Sequence, residues 1–505
     1  MINKDGSITI NEWAKGIEES AYIGNGDIRF CDTDEYGSLQ VGRKFVEDDE
    51  KNADEVSGKI IEFTKVVDGN SFTLVGLDDV QQLYTKNDSS DEWSKVSYSQ
   101  PGNGGGLAFW KDYVFIFRDS TLSDITRIDI YGPVSTGASL TASWQTLSST
   151  DHYKVASEIG NEDILYMGYS NFVASLEEVA GETFDPANTN TYNFTQEHLV
   201  LPENYSVSHL EEMGELMMVC ANSDSGQLSK VFPWDKLSLE SETPIKVTGG
   251  EIGQATFWLS TLFIRVGCYG DIYIFTGSSF SLYKKMPRTL GTVSLLSSIG
   301  GSARNGMTVY ENKLVFTASI GSNDGNLSVV FSLDTDKSLQ IAYMSSNGNV
   351  SSGGSLPNME LGALFADYSR VENNLRNDLL MGWKENLAGT NDFGIDTLNN
   401  SSGKYDGYDS NFVSQLYRVG TPVIKKTFSG VDFVLSENLA SGDGIKLEYR
   451  TTTNGSWSTG AEFTFADQGA INEYEAPSSI KSDLTNIQFR VSLDGTPKLL
   501  ETRIK

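Results

Sequence analysis

The chain has 505 residues and carries 68 acidic against 38 basic side chains, a formal net charge of −30. That balance disfavours a general nucleic-acid-binding surface, which needs clustered Lys and Arg against phosphate. With 39% hydrophobic and 11% aromatic residues the chain can bury a large core, and no run of 18 or more apolar residues offers a membrane-spanning helix.

The opening residues MINKDGSITINEW lack the charged start and apolar middle of a secretory signal, so use without export by that route is the expectation. The same stretch matches half of an EF-hand loop. With Met1 at the first loop position, Asn3, Asp5, Gly6, Ile8 and Glu12 fall at the third, fifth, sixth, eighth and twelfth. Met1 cannot be the first ligand and no helix precedes it, so the segment reads as a turn at Asp5-Gly6 leading into a strand or short helix. Helix is expected at Ile10 to Glu19 and around Leu361 to Asn374. The extended stretch Asp27 to Phe45, with GDIRF and GSLQVGRKF, is expected to supply a strand that closes a ring.

That ring is implied by the middle of the chain. Between Ile60 and Leu398 one idea recurs seven times: a short apolar strand, a turn rich in Gly, Asn, Asp or Ser, then a second strand that often carries aromatics. Anchoring each unit on an apolar pair at Leu74, Val114, Leu165, Met217, Tyr273, Leu314 and Leu379 gives successive spacings of 40, 51, 52, 56, 41 and 65 residues. A four-stranded propeller blade needs roughly 40 to 50 residues. The expected fold is therefore all-β: a β-propeller of about seven blades over residues 58–419, preceded by an N-terminal segment with its closing strand over 1–57.

After the polar stretch NNSSGKYDGYD the pattern turns to clean alternation. Val431, Phe433 and Leu435, then Ile445, Leu447 and Tyr449, then Ile487, Phe489 and Val491 recur with period two, the mark of half-buried strands. Asn454-Gly455 is a hairpin turn signal, since both residues accept positive φ. Residues 420–505 read as a small C-terminal antiparallel β-sandwich.

Catalytic chemistry finds little support. His152, His198 and His209 lie outside any GxSxG or HExxH pattern. Cys31, Cys220 and Cys268 show no CxxC spacing and read as buried hydrophobes. A glycosidase needs only two placed carboxylates, and among 68 acidic residues no pair stands out. The SxDxGxxW box of sialidase-like propellers is missing, its nearest echo being TTTNGSW at Thr451 to Trp457, outside the ring. Trp93, Trp110, Trp144, Trp258 and Trp383 are candidates for stacking on sugars, with core packing the plainer reading. The expectation is a chain with no catalytic, cofactor-binding or metal-binding residues and no cofactor. The alternative is a carbohydrate-binding (receptor-binding) or glycan-cleaving propeller.

NEWAKGI followed by SAYIGNGDIRFCDTDEYGSLQVGRKF resembles the opening of tailed-bacteriophage structural proteins. GEIGQATFWLSTLFIRVGCYGDIYIFTGSSFSLYKKMP resembles their central units. FSGVDFVLSENLASGDGIKLEYRTTTNGSWSTG with IQFRVSLDGTPKLLETRIK is similar to the sandwich that ends many phage tail proteins. The resemblance is one of pattern, over both ends and one middle unit. It implies a non-enzymatic virion structural protein of the β-propeller nozzle or hub type, made in the host cytoplasm and placed in the tail. It further implies a homo-oligomeric ring, a hexamer in short-tailed phages. Other tail or head-to-tail connector proteins would be its neighbours, and DNA would be only a passing cargo.

Overall fold

The computed structural model describes residues 8–10, 27–29, 31–33, 39–48, 56–68, 71–87, 93–97, 103–119, 126–147, 158–160, 164–226, 228–267, 269–286, 293–294, 305–322, 325–346, 358–368, 370–371, 374–375, 377–387, 390–399, 402, 410–414, 417–418, 428, 430–452, 455–465, 473–477 and 486–505. Among the described residues seven four-stranded antiparallel units follow one another along the chain, six as separate sheets and one, blade 6, as part of an eleven-stranded sheet. Blade 1 is Ile60–Asp68, Ser71–Asp78, Leu83–Asn87 and Ser94–Lys95. Blade 2 is Asn103–Trp110, Tyr113–Asp119, Thr126–Gly132 and Ser139–Leu147. Blade 3 is Glu158–Gly160, Ile164–Tyr169, Phe172–Glu178 and Tyr192–Val200. Blade 4 is Tyr205–Met213, Leu216–Ser223, Ser229–Trp234 and Ile245–Val247. Blade 5 is Ile252–Trp258, Thr261–Val266, Asp271–Phe275 and Phe280–Lys284. Blade 6 is Met307–Tyr310, Lys313–Ser322, Gly325–Leu333 and Leu339–Tyr343.

Blade 7 takes three strands from its own region, Asn358–Asp367, Asp378–Leu387 and Thr390–Leu398. Its fourth is Val46–Glu47, which pairs with Thr397 and Asp396 from the other end of the chain. The first strands contact one another from blade to blade, and that of blade 7 returns to Ile60–Asp68, so the ring is closed. Closure hides strand edges that would otherwise pair with other chains. The closing strand is thus Val46–Glu47, directly beyond the expected stretch Asp27 to Phe45.

Each seam between blades has its own apolar cluster, because successive side chains of a strand point to opposite faces. In Tyr113–Asp119, Val114 and Ile116 pack with blade 1 whereas Phe115 and Phe117 pack with blade 3. In Leu216–Ser223, Met217, Val219 and Ala221 face blade 3, and Met218 and Cys220 face blade 5. Second strands are buried on both faces and so read as continuous apolar runs, not as alternation.

The stretch around Leu361 is a strand where the sequence suggests a helix. Its register against the second strand shifts between Leu361↔Trp383 and Leu364↔Met381, a bulge that inserts one extra residue. The insertion turns period two into spacings of three and four, and Leu361, Leu364 and Phe365 then imitate a helical face. The bulge also brings Gly362 against blade 1, where a Cβ would lie 2.0 Å from the Ile60 carbonyl oxygen.

The sandwich is built from both ends of the chain. One sheet runs Cys31–Thr33, Leu39–Val41, Leu499–Ile504, Gly430–Leu435 and Glu473–Pro477, with Ile8–Ile10 also on Leu499–Ile504. The other contains Asp27–Arg29, Ser410–Val413, Asn486–Asp494, Gly444–Arg450 and Ser458–Thr464. Asp27–Arg29 pairs on its far side with the outer strand of blade 6, in parallel, at Arg29↔Ile341. Val431, Phe433, Leu435, Ile445, Leu447, Ile487, Phe489 and Val491 form the expected core, continuous with Trp258, Phe263 and Phe316 of blades 5 and 6. The expected helix at Ile10 to Glu19, apart from Ile10, and the loop candidates Asn3, Asp5, Gly6 and Glu12 lie outside the described residues, as do Cys268, His152 and Asn454.

Candidate site in the axial cavity

The first strands of the blades surround a cavity of about 230 Å³ on the propeller axis. Its wall is Glu62 and Phe63 of blade 1, His209, Leu210 and Glu211 of blade 4, Ala255 and Thr256 of blade 5, Asn305 and Met307 at the start of blade 6, and Leu364 and Phe365 of blade 7. Bulges place the polar groups. The first strand of blade 1 shifts register between Ile60 and Glu62, and that of blade 4 between Val207 and His209. A bulge bends its strand and re-aims the side chains beyond it, which here include Glu62, His209 and, two residues on, Glu211.

The two carboxylates are held differently. Glu62 Oε2 accepts the Leu107 N–H at 2.5 Å, tying the wall to blade 2. Glu211 is only half-buried, with its remaining surface on the cavity, and burial pushes its carboxyl up to about 7. Asn305 donates its Nδ2 to the Ile61 carbonyl at 3.3 Å. The site can accept hydrogen bonds and positive charge, and most of its accessible wall is polar. Local motifs could not reveal it, because its residues come from five separate strands. The one signal was a histidine and two glutamates inside the strand YSVSHLEEM.

Apart from His209, which lines the cavity, the described residues singled out from the sequence are elsewhere. Trp93, Trp110, Trp258 and Trp383 are buried, and Trp144 is half-buried among Phe115, Phe184, Tyr192 and Phe194. His198 shares a hydrogen bond of 2.8 Å with Ser175 and stands edge-on to Trp234, and burial lowers its pKa. Cys31 and Cys220 are buried thiols, and burial raises the Cys220 pKa. Asp78 and Asp396, both inaccessible, serve turns and seams. Asp78 takes the Val80 and Gln82 N–H groups and the Tyr84 hydroxyl, and Asp396 takes the Trp383 indole N–H and both Ser346 donors. Burial pushes each of these two carboxyls up to about 6. Among the described residues no group of three or more His, Cys, Asp or Glu side chains could hold a metal ion, and no helix is long and apolar enough to cross a membrane.

No protein-family model matches the chain, and no curated protein matches it. Solved structures do. The BBS1N chain from its complex with ARL6DN is 10% identical, with a TM-score of 0.41 over 72% of this chain and 99% of that one. The Dos1 propeller is 11% identical, with a TM-score of 0.38 over 74% and 93%. The computationally designed Ika8 protein is 12% identical, with a TM-score of 0.34 over 71% and 95%. The chain is an all-β propeller.

Proposed function

We propose that the chain is a non-enzymatic structural protein of a bacteriophage tail, a nozzle or hub component that assembles into a homo-oligomeric ring around passing DNA. The observation that carries this reading is the way both ends of the chain are bound into the propeller. Val46–Glu47 completes blade 7, and Asp27–Arg29 joins the outer strand of blade 6 to a sandwich that also contains the C-terminal strand Leu499–Ile504. Force applied at either end would be spread over sheet hydrogen bonds. That suits a part that must keep its shape under mechanical load. The resemblance of both end segments to phage tail proteins points the same way.

The axial cavity of about 230 Å³ is far too small for a DNA duplex. On this reading the conduit is the space enclosed by several copies, each contacting the next through a heterologous surface that closes by rotation. The charge of −30 would let DNA slide past without adhesion. The test is native mass at several concentrations followed by negative-stain imaging, with and without neighbouring tail proteins. Closed rings with an open lumen are expected. A chain that stays monomeric alone and with those proteins, and that binds glycans, would overturn the reading in favour of a receptor-binding protein.

A further inference from the structure

We infer that each copy of the chain docks two apolar turns, of blades 4 and 5, onto the face around Arg450, Trp457 and Arg490 on the sandwich of the next copy. The inference deepens the ring reading above and rests on it only for the closure of the assembly. Among the described residues Leu237 and Leu239 are the most exposed large hydrophobics, at 84% and 74%, and both stand in the link between the third and fourth strands of blade 4. That link is held in place. Asp235 Oδ1 accepts the N–H groups of Leu237 and Ser238 at 2.9 and 2.7 Å, the Trp234 indole N–H donates to the Ser238 carbonyl at 2.7 Å, and Lys236 has a φ of 67°. Hydrogen bonds and a strained backbone thus hold two leucines out in water. On the adjoining blade 5, Phe257 and Leu259 are 40% and 51% exposed at the left-handed turn Leu259-Ser260. The first hairpin and the link from third to fourth strand lie at the same end of an antiparallel blade, so the four side chains share one face of the ring. Exposed apolar side chains gathered in this way mark an interaction surface.

Charge selects the occupant. Around the leucines Asp235, Glu240 and Glu242 are exposed, and the one basic neighbour, Lys236, is paired with Glu212. The same patch on a second copy would bring acid against acid, so a contact of like with like is disfavoured. The sandwich offers the complement. On the outward side of Gly444–Arg450 and the strands beside it stand Lys446, Arg450 and Arg490 with Glu448 and Glu462, an excess of base in a chain where acids outnumber bases 68 to 38. There the Arg450 and Arg490 guanidinium groups lie 4.3 and 4.8 Å from the ring centre of the half-buried Trp457. Arg490 donates to Glu448 at 2.6 Å and Arg450 to Gln488 at 2.7 Å, so the cluster is ordered before any partner arrives. Trp and Arg are also the residues on which interface affinity concentrates. Three strands separate Gly444–Arg450 from the outer strand of blade 6, which sets the receiving face at the end of its sheet remote from the propeller. Two unlike surfaces in different places let copies join head to tail.

The test is sedimentation velocity of the full chain over a range of concentrations. The blade variant is Leu237→Ser with Leu239→Ser, and the sandwich variant is Arg450→Glu with Trp457→Ala. Self-association of the wild type is expected, weaker by at least about tenfold in either variant alone. The decisive sample is an equimolar mixture of the two variants. The intact turns of the sandwich variant fit the intact sandwich of the blade variant, so a 1:1 dimer that grows no further should form. Leu237 and Leu239 are exposed, so the blade variant should keep the wild-type thermal midpoint. If the sandwich variant does not fold, Arg450→Glu alone, which leaves the Trp457 ring in place, takes its part. A wild type that is monomeric at every concentration, self-association unchanged in both variants, or a mixture that stays monomeric would overturn the inference. Closed rings that persist in both variants would overturn it and leave the tail reading standing. Open chains of the wild type, with the capped dimer in the mixture, would support it and sink that reading.

Discussion

Asp48 Oδ2 accepts the Trp93 indole N–H at 2.9 Å, joining the residue that follows the closing strand to the outer edge of blade 1. The other carboxylate oxygen accepts from Lys86 Nζ at 2.8 Å, and the Asp48 N–H donates to the Ile395 carbonyl of blade 7 at 2.8 Å. One residue therefore ties the N-terminal segment to both blades at the seam where the ring closes. Trp93 is fully buried and stacks at a tilt on Phe63, so its N–H has no water to turn to.

Asp48→Ala should accordingly weaken the ring at this seam. It leaves a buried indole donor and a mostly buried ammonium without their acceptor, a loss of about 2–4 kcal/mol. A lowered thermal midpoint, with faster proteolysis in the N-terminal segment, is the expected result. Asp48→Asn keeps an acceptor for Trp93 and should recover part of the loss. Equal midpoints for wild type and Asp48→Ala would mean that the two-residue strand closes the ring unaided.

The same seam depends on two glycines. A Cβ at Gly362 would meet the Ile60 carbonyl oxygen at 2.0 Å, and one at Gly382 would meet Ile60 Cβ at 2.6 Å. Backbone cannot step aside as a flexible side chain can, so Gly362→Ala should separate blades 7 and 1 at a cost above about 3 kcal/mol, beyond the usual range for overpacking. Gly76→Ala is the control, because its Cβ would meet only Phe63 and Ile60 side chains at 3.4 Å or more. Chemical denaturation of the two variants should show a large loss for Gly362→Ala and a small change for Gly76→Ala.

The contrast between Gly362 and the apolar second strands also shows what the sequence could reveal. Six of the seven apolar anchors fall on second strands of blades, where burial on both faces leaves an unbroken apolar run. The exception, Tyr273, lies on the third strand of blade 5. With Leu262 in its place the neighbouring spacings become 45 and 52. The sandwich strands were legible because the positions between their core residues are mostly polar, as at Asp432, Lys446, Glu448, Gln488 and Arg490, so alternation survives. Pairings between distant segments were not legible, since nothing local in GDIRF specifies blade 6 or the sandwich as its neighbour. The bulge at Leu361 disguised a strand as a helix, and the cavity was invisible for the related reason that its wall is two or three residues from each of five blades.

Glu211 gives a pH dependence of definite sign. Its folded-state pKa of about 7 lies above the usual 4.5, so the folded protein holds this proton more tightly than the unfolded chain does. The stability linked to that proton is fully present below about pH 4.5. It is lost as pH rises through 7, and little more is lost from this group above that. At 1.36 kcal/mol per unit the ceiling is about 3 kcal/mol, reduced because part of Glu211 is solvated. Asp78 and Asp396 act in the same direction, each with a pKa raised to about 6, so the informative quantity is the difference between wild type and Glu211→Gln. Thermal midpoints should show the variant gaining on wild type between pH 5 and pH 7.5, as ~2 kcal/mol or less. A difference that stays constant across that range would place the Glu211 carboxyl near its ordinary pKa.

The first hairpin of blade 5 carries strain that a substitution should relieve. Leu259 and Ser260 form its two-residue turn with φ of 50° and 59°, the left-handed region that Asn and Gly accept and that costs other L-residues about 1 kcal/mol. Leu259 is also 51% exposed, so the strain is not offset by burial. Leu259→Asn with Ser260→Gly should raise stability by about 1 kcal/mol, because Asn-Gly is the preferred pair for this turn. Equilibrium denaturation of the free chain measures that gain. If the leucine instead serves a contact between copies, the same double variant should be more stable as a monomer and poorer at forming rings, a divergence that size-exclusion chromatography would register. A stability loss in the free chain would show that Leu259 is held by packing on its own blade and that its backbone strain is outweighed.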